Sequence, residues 1–123
     1  MMKPTFNYDE LSDTLYISFF PGEKATGIEL NDNILLRINK KNRYAVGLSL
    51  FNYSILAQRT EIGLRSIPLT GLEELSKELR QLVLDILQTS PVKDIFSLSA
   101  YTPSLSEVQP IATIQNTALL TPA

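Results

Sequence analysis

Up to Tyr53, apolar residues recur at every second position in short runs, and clusters of turn-forming residues interrupt them. Strict alternation broken at intervals of roughly eight to twelve residues is the pattern of antiparallel strands joined by tight turns. It predicts five strands, at Phe6–Tyr8, Thr14–Phe20, Ala25–Leu30, Ile34–Ile38 and Tyr44–Leu50. Between them lie turns at Asp9–Asp13, Pro21–Glu23, Asn31–Asn33 and Asn39–Asn42. Asn33 and Asn42 are expected at positive φ, which Asn tolerates better than most residues.

Successive strand residues point to opposite sides of a sheet, so parity sorts these side chains into two faces. One face collects Leu15, Ile17, Phe19, Ile28, Leu30, Ile34, Leu36, Ile38, Val46, Leu48 and Leu50, with no charge among them. Burial of this face is worth on the order of 15–30 kcal/mol before chain entropy is subtracted, so it must be covered. The other face mixes Tyr16, Phe20, Glu29, Leu35, Arg37 and Phe51 with the small residues Ser18, Ala25, Gly27, Ala45, Gly47 and Ser49.

The cover is expected after Pro68. Thr70-Gly71-Leu72-Glu73 reads as a capping box, and Leu72, Leu75, Leu79, Leu82, Val83 and Ile86 recur at helical spacing, with Leu87 widening the stripe. Glu73 and Glu74 suit a first helical turn, and Thr89-Ser90-Pro91 stops the helix. From Pro91 the chain turns to Pro, Ser, Thr and scattered aliphatics. Val92, Ile95, Phe96, Leu98, Ile111, Ile114, Leu119 and Leu120 are too many apolar residues to leave in water. The resulting fold is α+β: a five-stranded antiparallel β-meander, one amphipathic helix packed on its apolar face, and a C-terminal extended arm adding one or two short strands. Residues 1–90 form the meander-plus-helix domain, and residues 91–123 an arm docking on the same domain or on a partner subunit.

Composition then removes chemistries. The chain of 123 residues has 0 Cys, 0 His and 0 Trp, which excludes thiolate and imidazole catalysis and Cys/His metal sites. A net charge of -2 offers no global field toward nucleic acid or an anionic membrane. No apolar run is long enough for a signal peptide or a membrane span, and a cytoplasmic protein is expected.

Tyr8-Asp9-x-x-x-Asp13-x-Leu15-Tyr16-Ile17, followed by an aliphatic hairpin ending Ala45-Val46-Gly47-Leu48-Ser49-Leu50, resembles domain-of-unknown-function family 2283 over residues 6 to 54. The resemblance implies a small β-meander. It further implies a small interaction partner, antitoxin-like proteins included. The family usually carries Asp, Asp, Gly and Glu where this chain has Arg37, Asn39, Asn42 and Ser49, so the fold is carried over and no site is.

Asp9, Glu10 and Asp13 are the densest carboxylates, but their spacing matches neither a calcium loop nor a paired-acid site, and turn and capping roles are expected. No metal and no cofactor is expected. Arg37, Lys40, Lys41 and Arg43, beside Tyr44, are the candidate phosphate contacts; as a short basic run they are better read as a solvated turn. Pro21-Gly22-Glu23-Lys24 lacks the spacing of a phosphate loop. No motif places a base beside a hydroxyl, and the chain is not expected to be an enzyme.

The expected function is a non-catalytic protein–protein interaction module that self-associates as a twofold dimer through the mixed sheet face, an exposed edge strand or the exchanged arm. Tyr16, Phe20, Leu35 and Phe51 form its ligand or partner face. The partner is a second copy in a homodimer, or a small protein of another kind; neither membrane nor nucleic acid is expected. The alternative is a small-molecule or single-stranded nucleic-acid binder using the mixed face and the basic turn.

Overall fold

The computed structural model describes residues 4–57, 59–60, 63–64, 67–104 and 107–114. Strands β1 (Thr5–Asp9), β2 (Thr14–Ser18), β3 (Thr26–Asn31), β4 (Ile34–Asn39) and β5 (Tyr44–Phe51) form one antiparallel sheet in the order β1-β2-β5-β4-β3. All five lie within two residues of the boundaries that alternation predicts.

The strand order is meander-like without being strictly sequential. β3, β4 and β5 are consecutive hairpins, whereas the β2–β3 connection crosses to the far edge and β2 pairs with β5, so β2 to β5 make a Greek key. Burial explains the choice. Ala45 to Leu50 of β5 are buried on both faces, while β1 and β3 keep exposed residues along one side. A sequential order would put β5 at an edge; this one places it at the centre and the more polar strands outside.

Leu15, Ile17, Phe19, Ile28, Leu30, Ile34, Leu36, Ile38, Val46, Leu48 and Leu50 are each at most 4% exposed. Parity fails at one place. The β4–β5 register shifts between Arg37 and Ile38, pairing Ile38 with Ala45 and skipping Val46. Ala45 therefore enters the core, contrary to the parity assignment, and Val46 is buried outside the core cluster. The Val46 carbonyl accepts the N–H groups of both Phe19 (2.9 Å) and Phe20 (3.3 Å), which is where β2 stops pairing regularly.

The expected positive φ at Asn33 and Asn42 is not found. Positive φ falls instead at Asp13 (51°), Arg43 (61°), Asn52 (56°) and Gly22 (80°). Asn39 controls the β4–β5 turn: its side chain accepts Asn42 N–H at 2.9 Å and its carbonyl accepts Arg43 N–H at 2.8 Å. The left-handed step is thereby deferred to Arg43. Asn33 is held likewise, its N–H donating to Asn31 Oδ1 at 2.7 Å.

After β5 come a short helix α1 (Tyr53–Leu56), a two-stranded ladder of β6 (Arg59–Thr60) and β7 (Gly63–Leu64), and β8 (Ile67–Pro68). The single helix predicted from Thr70 is two pieces: a 3-10 segment Thr70–Glu74 and helix α2 (Lys77–Leu87). Thr70 caps neither. Gly71 lies so close to β3 that a Cβ there would overlap the Glu29 carbonyl oxygen, so the chain hugs the sheet edge before the helix can begin. Leu75 is extended, and Ser76 is the true N-cap, accepting Leu79 N–H at 3.2 Å. Arg80 joins the pieces by donating Nε–H to Leu72 O at 2.9 Å and Nη2–H to Glu73 O and Leu75 O at 3.3 Å. Of the predicted stripe, Leu72, Leu82, Val83, Ile86 and Leu87 are buried, and Leu75 and Leu79 are half-buried against the core.

A 3-10 turn at Val92–Asp94 leads to β9 (Phe96–Ser104) and β10 (Glu107–Ile114), which pair as a hairpin longer than the short strands expected of the arm. With β8 they form a three-stranded antiparallel sheet, order β8-β10-β9. Ile67, Phe96, Ala112 and Ile114 join the same core as the large sheet. Leu69 N–H donates to Pro110 O and Asn31 Nδ2 to Pro68 O, both at 2.9 Å, so β8 and its flank tie the two sheets together. Leu119 and Leu120 lie outside the described residues.

Candidate functional site

The apolar face of the large sheet is covered by α2 and the second sheet. Its other face is open at Thr5, Asn7, Tyr16, Gly27 and Glu29. Register lines up two rows across it. Asn7, Tyr16, Ser49, Leu35 and Glu29 form one; Thr5, Ser18, Gly47, Arg37 and Gly27 form the next. Phe51, two residues beyond Ser49 on β5, belongs to the same face and pairs with Thr14. Tyr16 is 40% exposed, Leu35 and Phe51 are half-buried, and Ser49 is 5% exposed between them.

The structure thus brings Tyr16, Leu35 and Phe51 together and separates Phe20 from them. Phe20 lies past the end of β2, packs partly against the core, and stacks on Tyr44 with ring centroids 4.7 Å apart. Tyr44 in turn donates to the Glu23 carboxylate at 2.6 Å and accepts from Asn39 Nδ2 at 3.2 Å. The bond to Glu23 raises the Tyr44 phenol pKa. This network pins the β2–β3 crossover to the base of β5.

Arg37 crosses the face sideways. Its guanidinium lies over Gly47, where a Cβ would overlap Nη2, and its Nε is buried with no hydrogen-bond partner. The other basic candidates lie elsewhere. Lys40 and Lys41 are exposed in the β4–β5 turn, and Arg43 reaches Asp85 of α2, Nη2 to Oδ2 at 3.5 Å, on the helix side of the sheet. The four do not form one basic surface.

The carboxylates of the first turn act on the fold. Asp9 Oδ1 accepts Leu11 N–H at 3.1 Å. Asp13 Oδ2 accepts the Ser54 hydroxyl at 2.6 Å, and Asp13 Oδ1 accepts Ser54 N–H at 3.1 Å and the Tyr8 hydroxyl at 2.6 Å. Asp13 O accepts Tyr53 N–H at 2.9 Å, so this residue fastens α1 to the β1–β2 turn. The bonds from Ser54, then that from Tyr8, hold the Asp13 carboxyl below the ordinary carboxylate range. The Tyr8 phenol is pushed up to about 12, first by its bond to Asp13 and then by burial. Tyr53 stacks edge-on against Tyr8 at 5.9 Å, and its buried hydroxyl has no partner. No local spacing announces this clamp, because Asp13 and Ser54 are far apart in the chain.

Between β3 and the 3-10 segment runs a cleft of about 460 Å³ whose lining includes Glu29, Asp32, Glu73 and Glu74. Among the described residues no group of three His, Cys, Asp or Glu side chains could hold a metal ion. Nor is any helix among them long and apolar enough to cross a membrane.

No curated protein and no solved structure matches the chain. Of the four positions where the resemblance implied Asp, Asp, Gly and Glu, Arg37 and Ser49 share the open face, and Asn39 and Asn42 stand at the β4–β5 turn. Residues 5–54, the whole of the large sheet together with the start of α1, are similar to the family described as Protein of unknown function (DUF2283), whose model they match.

Proposed function

We propose that this protein is a non-catalytic interaction module that self-associates through the open face of its large sheet, as a twofold homodimer. The observation that carries the reading is the juxtaposition of Tyr16, Leu35 and Phe51 around the recessed Ser49, on a face with no described layer over it. Large side chains ringing a recess of small ones make a surface into which a copy can interlock. The Asp13 cluster, the other concentration of polar groups, spends its hydrogen bonds on anchoring α1, which supports a binding role over a catalytic one.

Scale sets the strength. Five strands at about 4.8 Å and five residues at about 3.3 Å give a patch on the order of 400 Å² in plan. A patch of this size is small beside the roughly 800 Å² per partner of a standard interface, so a weak, concentration-dependent dimer is expected. Light scattering behind gel filtration is the test. A rise from one chain mass to two between about 1 and 100 µM supports the reading, and a single chain mass throughout removes it. Capture of one small heterologous protein in place of a second copy would instead favour the antitoxin-like variant of the same reading. The single-stranded nucleic-acid alternative gains little from a basic turn divided between two sides of the sheet and an acidic cleft at β3.

A further inference from the structure

The open face carries, beside its apolar centre, one base and two acids: Arg37 on β4, Glu29 on β3, and Asp9 at the end of β1, whose carboxylate already accepts Leu11 N–H in the β1–β2 turn. Glu29 pairs with Leu35 and Arg37 with Gly27, so the two charges lie one row apart on adjacent strands. Within one chain they do not meet. The guanidinium leans over Gly47 of β5, away from β3, while Glu29 is exposed on the far side of β4. Neither forms an ion pair with another described residue; the pair that is formed joins Arg43 and Asp85. The guanidinium is partly buried and its Nε has lost hydration without regaining a hydrogen bond, so this face holds a positive charge with no compensating partner in its own chain.

We infer that the facing carboxylate is Glu29 of a second copy, and that reciprocal Arg37–Glu29 ion pairs set the register of the homodimer. This rests on the self-association reading above and adds the residues that orient it. The charges flank β4 on opposite sides, so a twofold axis over Leu35 sets each guanidinium against the other copy's carboxylate. Every contact in such an interface occurs twice. The same axis sets Leu35 against its own copy. An unrelated partner would have to supply both an acid and a base at this spacing, whereas a second copy does so by symmetry.

Sedimentation velocity on Arg37→Glu, Glu29→Arg and their equimolar mixture tests the inference. Each variant alone places like charges face to face, and its dimer Kd is expected to rise about tenfold or more over the wild type. The mixture restores both oppositely charged pairs and is expected to recover wild-type association as a one-to-one heterodimer. Unchanged dimerisation of both variants, or a mixture no tighter than its components, would overturn the pairing while leaving self-association standing. A wild type that never dimerises would overturn both. Should Arg37→Glu fail to show a native circular dichroism spectrum, wild-type salt dependence decides: weakening between about 0.05 and 0.5 M salt supports the ion pairs, and salt-independent association refutes them.

Discussion

At the scale of single residues, Gly47 and Arg37 govern the open face, and Asp13 with Tyr8 holds the sheet's margin. Gly47 exists where Arg37 must cross β5: a Cβ would overlap Nη2 and lie 2.8 Å from the Ile17 carbonyl oxygen. Gly47→Ala is therefore expected to destabilise the fold by about 1–3 kcal/mol, as overpacking does, measured by urea denaturation; an unchanged midpoint would show that the guanidinium can move aside freely. A glycine in a strand is legible as a point of close approach, but which group approaches is not, since Arg37 is ten positions away in sequence. Asp13 and Tyr8 make the stability pH-dependent in opposite directions. The Asp13 carboxyl is held below its ordinary 3.8, so its contribution is complete above that value and is lost as pH falls through the lowered one. Tyr8 is raised from 10.0 to about 12, so its contribution is complete below pH 10 and is lost as pH rises toward 12. Thermal melts across both ranges should show both losses, with the alkaline one reduced in Tyr8→Phe. An equal alkaline loss in the variant would place it on Tyr44 and Tyr53, whose pKa values are also raised.

Secondary-structure elements divide into those written locally and those imposed by packing. The five strands and the end of α2 are local: alternation, turn residues and Pro91 suffice to place them. The start of α2 is not. Thr70-Gly71-Leu72-Glu73 satisfies the capping-box pattern, yet contact between Gly71 and the β3 backbone prevents an α-helix there, and the less conspicuous Ser76 takes the cap. Gly71→Ala is expected to cost about 2–3 kcal/mol because the obstructing atom is backbone and cannot rotate away. Ser76→Ala should cost about 1 kcal/mol, the worth of one cap. If urea midpoints rank these two variants in the reverse order, the edge contact is not what breaks the helix. The bulge at Ala45–Val46 is the other imposed feature. Period-two reading has no means of registering a skipped residue, which is why it left Ala45 out of the core.

For the whole molecule, the apolar face was legible because eleven large aliphatic and aromatic positions shared one parity without a charge, and all of them are buried. Strand order was not legible, since alternation says nothing of which strands become neighbours; the two-sided burial of β5 decides that it sits at the centre. Three of the four partner-face residues, Tyr16, Leu35 and Phe51, come together, and the basic group does not, because Arg37 and Arg43 turn to opposite sides of the sheet. What remains is a domain whose core is closed on one side of a sheet and whose other side is uncovered but uneven, apolar along the row of Tyr16 and Leu35, with a guanidinium over the central strand and a carboxylate on each edge strand. The most direct test is a dilution series of amide ¹H–¹⁵N spectra. If this side is where copies meet, concentration-dependent shifts will cluster on Tyr16, Leu35, Arg37, Gly47 and Ser49 and spare β10 and the exposed edge of β1. Shifts confined to Thr5–Asp9 or to β9–β10, or none at any concentration, would contradict it.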